Sequence, residues 1–172
     1  TRTRFDSSPA LLTNADFYGT LAAVRSLGRY GVPVTVAHHA LFAPASWSRF
    51  VRQAPRCPAT FRSDAFLHWL LGFGAARPGH VLYPTSDDTA FLFSAHRAAL
   101  SRHFQLCQPP PEAVYALLNK RRLYEESQAT GLKMPRTWFP DRASDLAEIR
   151  RQAGVPLVIK PVTQILFRSG AR

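Results

Sequence analysis

The sequence is poor in cysteine, has no long apolar run and is short of acids. Only Cys57 and Cys107 occur in 172 residues, neither in a C-x-x-C pair nor near a histidine at ligand spacing. That excludes a disulfide scaffold and a zinc ribbon, and two reduced thiols fit a cytoplasmic protein. No stretch approaches the roughly 20 apolar residues of a membrane-spanning helix, so no membrane partner is expected. A secretory leader is not visible either. Acids number 11 against 22 Lys+Arg, for a net charge of +11, which favours anionic partners. The arginines are nevertheless dispersed, at 25, 29, 49, 52, 56, 62, 77, 97 and 102, with no basic block and no recognition-helix or zinc-finger pattern. This argues against nucleic acid. Also missing is G-x-G-x-x-G. The first strand-to-helix turn reads Thr13-Asn14-Ala15-Asp16-Phe17-Tyr18-Gly19, so NAD or FAD binding there is discounted.

What is present is a folded composition, 46% hydrophobic and 19% charged, with a recurring phrase. Gly31-Val32-Pro33-Val34-Thr35-Val36 resembles Gly154-Val155-Pro156-Leu157-Val158-Ile159, and Gly131-Leu132-Lys133-Met134-Pro135 is a longer version. Glycine closes a helix in the left-handed conformation and proline stops it resuming, so each phrase marks a helix-to-strand switch. Ala10–Thr13 reads as a first strand, 17–30 as a helix with Phe17, Leu21 and Val24 on one face, and 32–37 as a second strand. Asn14 or Asp16 is expected to cap that helix. Phe50-Val51 is a candidate third strand. A helix capped by Ser63 or Asp64, with Phe66, Leu67, Leu70 and Phe73 inward, leads to the strand Val81-Leu82-Tyr83. A further helix, with Phe91, Ala95 and Ala98 inward, and a strand at 104–107 complete a parallel α/β unit.

Four segments carry candidate chemistry. Ser86 and Asp87 follow the Val81–Tyr83 strand, at the carboxyl end where open α/β sheets bind ligands. Helix capping by Thr85 or Ser86 and dipole compensation by Asp87 and Asp88 explain the same residue types. Asn14, in the first such turn, is the third candidate for a substrate or ligand. Past Pro109-Pro110-Pro111 and a short helix at 112–118, Asn119 is placed to cap a helix that begins Lys120-Arg121-Arg122. Cations there oppose the helix dipole, and a helix N-terminus with cations is an anion site. Arg136–Phe139 reads as a strand, and Ser144 is expected to cap a helix with Leu146, Ile149 and Ala153 on one face. Residues 155–161 then read as a buried strand with Lys160 at its exit, where the ammonium must reach water or meet an anion. A strand or hairpin is expected from 162 to 168.

The ordered series Asn119-Lys120, a helix to Gly131, Met134-Pro135-Arg136-Thr137, a second helix and Gly154–Pro161 resembles the ATP-grasp superfamily. Residues 10–108, with Asn14–Arg29 and Pro84–Asp88, resemble its Rossmann-like pre-ATP-grasp domain, in the D-aspartate-ligase-like, carboxylate–amine ligase branch. The resemblance implies a domain at 10–108 and the start of an α+β nucleotide-binding domain at 109–172; ahead of them, the polar start of the sequence with Arg2 and Arg4 reads as a disordered leader at 1–9. It implies Mg-ATP chemistry on a small carboxylate through an acyl-phosphate, with Lys120 and Lys160 contacting the nucleotide. It also places the magnesium ligands outside this sequence, with Ser169-Gly170 at most the beginning of the family's lid, so that this chain alone would bind rather than catalyse. A non-catalytic α/β binding module using its basic surface for an anionic ligand or nucleic acid is the alternative. A flavodoxin- or response-regulator-like domain would account for the first half only. Exposed apolar surface and an open sheet edge favour self-association into a homo-oligomer.

Overall fold

The computed structural model describes residues 8–154 and 156–165. Up to Val114 the chain forms one compact unit, and Tyr115–Gln164 forms a second.

The first unit is built on five short parallel strands: β1 (Ala10–Leu12), β2 (Val34–Val36), β3 (Val51–Gln53), β4 (Val81–Tyr83) and β5 (Gln105–Leu106). Their spatial order is β3-β2-β1-β4-β5. This matches the first five positions of the doubly wound 3-2-1-4-5-6 order, and the order reverses between β1 and β4. The register pairs Leu12 with Val36 on one side and with Tyr83 on the other. Helices α1 (Tyr18–Arg29), α2 (Ser63–Ala76), α3 (Asp87–Ala95) and the single turn α4 (Arg97–Leu100) carry the crossovers, and a 3-10 turn spans Pro44–Trp47.

Side chains alternate across a strand, and β1 shows the consequence. Leu11 enters a core on one face with Phe66, Leu70 and Phe73 of α2, Leu92 and Phe93 of α3, and Leu82. Ala10 and Leu12 enter the other, with Val24 of α1, Val34 and Val36. The inward set on α2 is as its sequence spacing predicts. On α3 the expected face is wrong: Leu92 and Phe93 are buried and Ala95 is exposed. The capping box begins the helix at Asp87 and α4 adds Leu100 to the same core, which turns the buried stripe away from Phe91, Ala95 and Ala98.

Capping also departs from expectation at α1 and α2, whose N-cap residues are Phe17 and Arg62 with no side-chain cap bond. At α1 the Phe17 amide donates to the Asn14 carbonyl at 3.0 Å, so a backbone turn replaces the expected side-chain cap. Gly31 and Gly131 take the left-handed φ values of +82° and +74° that the recurring phrase requires; Gly154 does not.

Cys57 lies against the α2 face, and burial pushes its thiol up to about 11. Cys107 is exposed. Alkylation with iodoacetamide at pH 8, read by mass spectrometry, is expected to modify Cys107 well before Cys57, because the thiolate is the nucleophile. The same shift has a stability consequence. The unfolded thiol ionises near 9 while the folded one stays protonated, so the contribution of Cys57 falls as pH rises between about 9 and 11.

The second unit holds α6 (Lys120–Ala129) and α7 (Asp145–Gln152), with the end of α5 (Pro111–Leu118) leading into it. Among its described residues there is no β-strand, which corrects two expectations. Residues 136–139 carry no ladder. Residues 156–161 are exposed rather than buried: Leu157 is 50%, Val158 79% and Ile159 95% accessible. Both segments have strand-like composition, but strand structure requires a neighbour to pair with its amides and carbonyls, and among the described residues no strand is paired with them. The expected strand at 162–168 is likewise absent over 162–165. Val155, the Ser169-Gly170 lid position and the leader residues 1–7 lie outside the described residues.

Candidate functional site

Two separate places hold the candidate residues. In the first unit, β1 and β4 end side by side, and each is followed by a threonine. The Thr85 hydroxyl donates to the Thr13 carbonyl at 2.7 Å, tying the two exit turns together where the strand order reverses. Thr20, fully buried on α1, donates to the Asn14 carbonyl at 2.8 Å and to that of Thr13 at 3.3 Å. These bonds hold Asn14 at φ +51°, the left-handed conformation, where it is the one non-glycine residue described. Asn14 is only 8% exposed, its amide nitrogen donates to Thr60 Oγ1 at 3.3 Å, and its Oδ1 has no partner among the described residues. Turning the amide over exchanges the two ends but leaves one of them unpaired. The turn at the switch point thus holds a buried amide oxygen whose hydrogen-bonding capacity is unused among the described residues.

Ser86 and Asp87 follow from the neighbouring turn and behave differently. Ser86 is committed to a capping box: Thr89 N donates to its Oγ at 3.2 Å and its own amide donates to Thr89 Oγ1 at 3.1 Å. Asp87 is exposed in the first turn of α3, where its charge offsets the dipole. The structure thus brings Asn14, Ser86 and Asp87 to one edge of the sheet, and Asn14 alone has an unused buried polar atom there. Of Thr13, Thr20 and Thr85, which set the geometry, sequence singles out only Thr85, and as a helix cap rather than as a tie between the two turns. The signal for two of them was present, a threonine directly after the apolar run at Leu12-Thr13 and after Pro84.

Conformation and side chain can be separated at Asn14. In urea unfolding, Asn14→Gly is expected to stay within about 1 kcal/mol of wild type, because glycine tolerates the left-handed turn. Asn14→Ala should be less stable than the glycine variant by roughly 1–2 kcal/mol.

In the second unit, Asn119 caps α6 as its sequence position implies. Its Oδ1 accepts from the amides of Arg121 and Arg122, both at 3.1 Å. The first helical amide, that of Lys120, donates to the Val162 carbonyl at 2.9 Å. Three of the terminal amides are therefore occupied, so any anion here is met by side chains rather than by a nest of free N–H groups. The Lys120–Val162 bond has a second effect. It ties Val162, two residues after Lys160, to the start of α6. Neither Lys120 nor Lys160 is ion-paired with an acid among the described residues.

Arg121 is not part of this pair. Its guanidinium bonds Asp141 at 2.5 Å and the Phe139 carbonyl at 3.2 Å, and lies 5.3 Å over the Phe139 ring, which also meets Tyr124 at 5.7 Å. It pins the extended 136–141 segment to α6, while Arg122 is exposed. Among the described residues no group of three or more His, Cys, Asp or Glu side chains could hold a metal ion.

No protein-family model matches the sequence, and no curated protein matches it either. Solved structures do match in fold. An L-amino acid ligase from Bacillus licheniformis superposes with a TM-score of 0.67 at 17% identity, over 94% of this chain and 38% of its own. Glycinamide-RNase-transformylase T from Mycobacterium tuberculosis gives 0.61 at 19%, over 90% of this chain and 41% of its own. N5-carboxyaminoimidazole synthetase from Staphylococcus aureus, complexed with ADP, gives 0.61 at 13%, over 87% and 36%. This chain therefore spans well under half the length of each of these relatives. All three are ATP-grasp proteins, and the shared part lies at their N-terminal ends. At these identities the likeness is one of architecture: the chain has the α/β fold with which ATP-grasp proteins begin.

Proposed function

We propose that this chain is the front part of an ATP-dependent carboxylate–amine ligase. The observation that carries the reading is the backbone bond from Lys120 to Val162, which ties the segment of Lys160 to the start of α6, with neither lysine paired to an acid among the described residues. Two ammonium groups brought to one polyphosphate would each bind it as a point charge. In such a ligase, ATP supplies the phosphoryl group that activates a carboxylate for attack by an amine. This chain's own part is to bind and orient. Lys120 and Lys160 neutralise phosphate oxygens, and the Asn14 amide at the carboxyl edge of the sheet offers a hydrogen bond to a small carboxylate or amine substrate, with Ser86 and Asp87 flanking. The described residues fit a nucleotide's phosphates but do not offer a magnesium site, so no step is assigned to the metal here. The exposed strip Leu157-Val158-Ile159 suits a segment that pairs with further strands of a longer enzyme.

The test is direct titration of the chain with ATP by calorimetry at low and at moderate salt. Saturable binding that weakens as salt rises is expected, since screening acts on exposed lysines. Absence of binding at millimolar ATP would overturn the nucleotide reading.

A further inference from the structure

Residues 17–63 contain six arginines and not one acid. The arginines are spread along the sequence, yet the fold gathers three of them. Arg25 and Arg29 of α1, with Trp47, Ser48, Arg49 and Phe50, line one open cleft of about 390 Å³. Arg25 and Arg29 are four residues apart and so share a helix face, where like charges destabilise the helix. No acid pairs with any of the three among the described residues. The opposite wall is held close by Gly28: a Cβ there would lie 2.4 Å from Phe50 Cβ, so only glycine admits the Phe50 ring against α1. Phe50 in turn carries the Arg49 guanidinium, 4.9 Å from its ring centre. Trp47, at the end of the 3-10 turn, is 75% exposed, a large indole face left to solvent beside three cations.

Arg29 is the last residue of α1, which starts after the carboxyl end of β1, so this cleft lies toward the amino side of the sheet. It is distinct from the Asn14 edge, and it belongs to the first unit rather than to the unit of Lys120 and Lys160.

We infer that the Arg25–Arg29–Arg49 cleft is a binding site for a nucleoside phosphate, its base stacked on Trp47 and its phosphate held by the arginines. Arginine matches phosphate in geometry as well as charge, and an exposed aromatic beside cations is the arrangement that stacks bases without reading their sequence. Two sources carry this chemistry, a free nucleotide and a nucleotide within a single strand.

The experiment uses the full chain and two probes, UMP and a fluorescently labelled 12-residue oligouridylate, each titrated across a salt series. Oligouridylate binding is expected with a log–log salt slope of about −2, from roughly −0.7 for each of three phosphates neutralised. Arg25→Gln and Arg49→Gln should each flatten that slope by about 0.7. Trp47→Ala should weaken binding about five- to hundredfold at every salt concentration. All three side chains are exposed, so the variants should fold, as thermal melting will verify. Lys160→Ala should leave this binding unchanged, which separates it from the proposed ATP site. Binding of the oligonucleotide that responds to these variants identifies a single strand as the source; binding of UMP alone with the same response identifies a free nucleotide. No binding of either probe, or binding indifferent to Trp47 and the three arginines, overturns the inference.

Discussion

Lys160→Ala is expected to weaken ATP binding by tenfold or more, while the melting temperature stays where it was. The side chain is solvent-exposed and unpaired among the described residues, so its loss leaves no cavity and no orphaned partner. Surface changes of that kind usually stay within about 0.5 kcal/mol. A hydrogen bond from a charged donor contributes about 1.5–3 kcal/mol, which corresponds to roughly ten- to over a hundredfold in affinity. Lys120→Ala should act similarly, because its backbone bond to Val162 survives the substitution. Arg121→Ala supplies the contrast. It removes the contacts to Asp141 and Phe139, so it should lower the stability of the second unit before it touches affinity. Calorimetric titration paired with thermal melting of the three variants distinguishes the roles. An unchanged dissociation constant in Lys160→Ala would sink the assignment of that residue to the nucleotide.

The two units differed in how much of them could be read from sequence, and the reason is pairing. In the first, each strand is short, but apolar residues near glycine or proline punctuation locate most of them, and the helices between them follow from spacing, apart from the inward face of α3. That succeeds because every strand there has a ladder neighbour, so local preference and tertiary context agree. In the second, Arg136–Phe139 and Leu157–Ile159 have equally strand-like residues and yet stay extended and unpaired. Composition reports fitness for a pleated, half-buried surface, not the presence of that surface. The site residues divide the same way. Asn119 as a cap is legible because it stands at a fixed offset from a helix start. Asn14 is legible as a turn residue and a ligand candidate, but not its left-handed φ or its unpartnered amide oxygen, which depend on contacts with Thr20 and Thr60 from other segments. The gathering of Arg25, Arg29 and Arg49 was hidden for a related reason, since sequence dispersal says nothing about residues that a crossover folds together.

Phe66→Ala should be the most damaging single substitution in the first unit, at about 3–5 kcal/mol. Phe66 is fully buried on α2, stacks on Trp69 at 6.0 Å, and reaches Leu11 and Leu82 within the same core. Truncation removes the transfer energy of the ring and leaves a void that Leu70 and Phe93 must share, in a domain whose whole stability is expected to be only about 5–15 kcal/mol. Val24→Ala, in the core on the opposite face, should cost less, roughly 2 kcal/mol, since fewer buried carbons are lost. The sheet lies between these two cores, and neither side chain belongs to the other's cluster, so the double variant should destabilise by the sum of the two within about 0.5 kcal/mol. Urea unfolding of the two single variants and the double variant measures that coupling. A coupling energy well above that margin would mean that β1 transmits strain between its faces, and that Leu11 and Leu12 do not divide the unit into two separately packed layers.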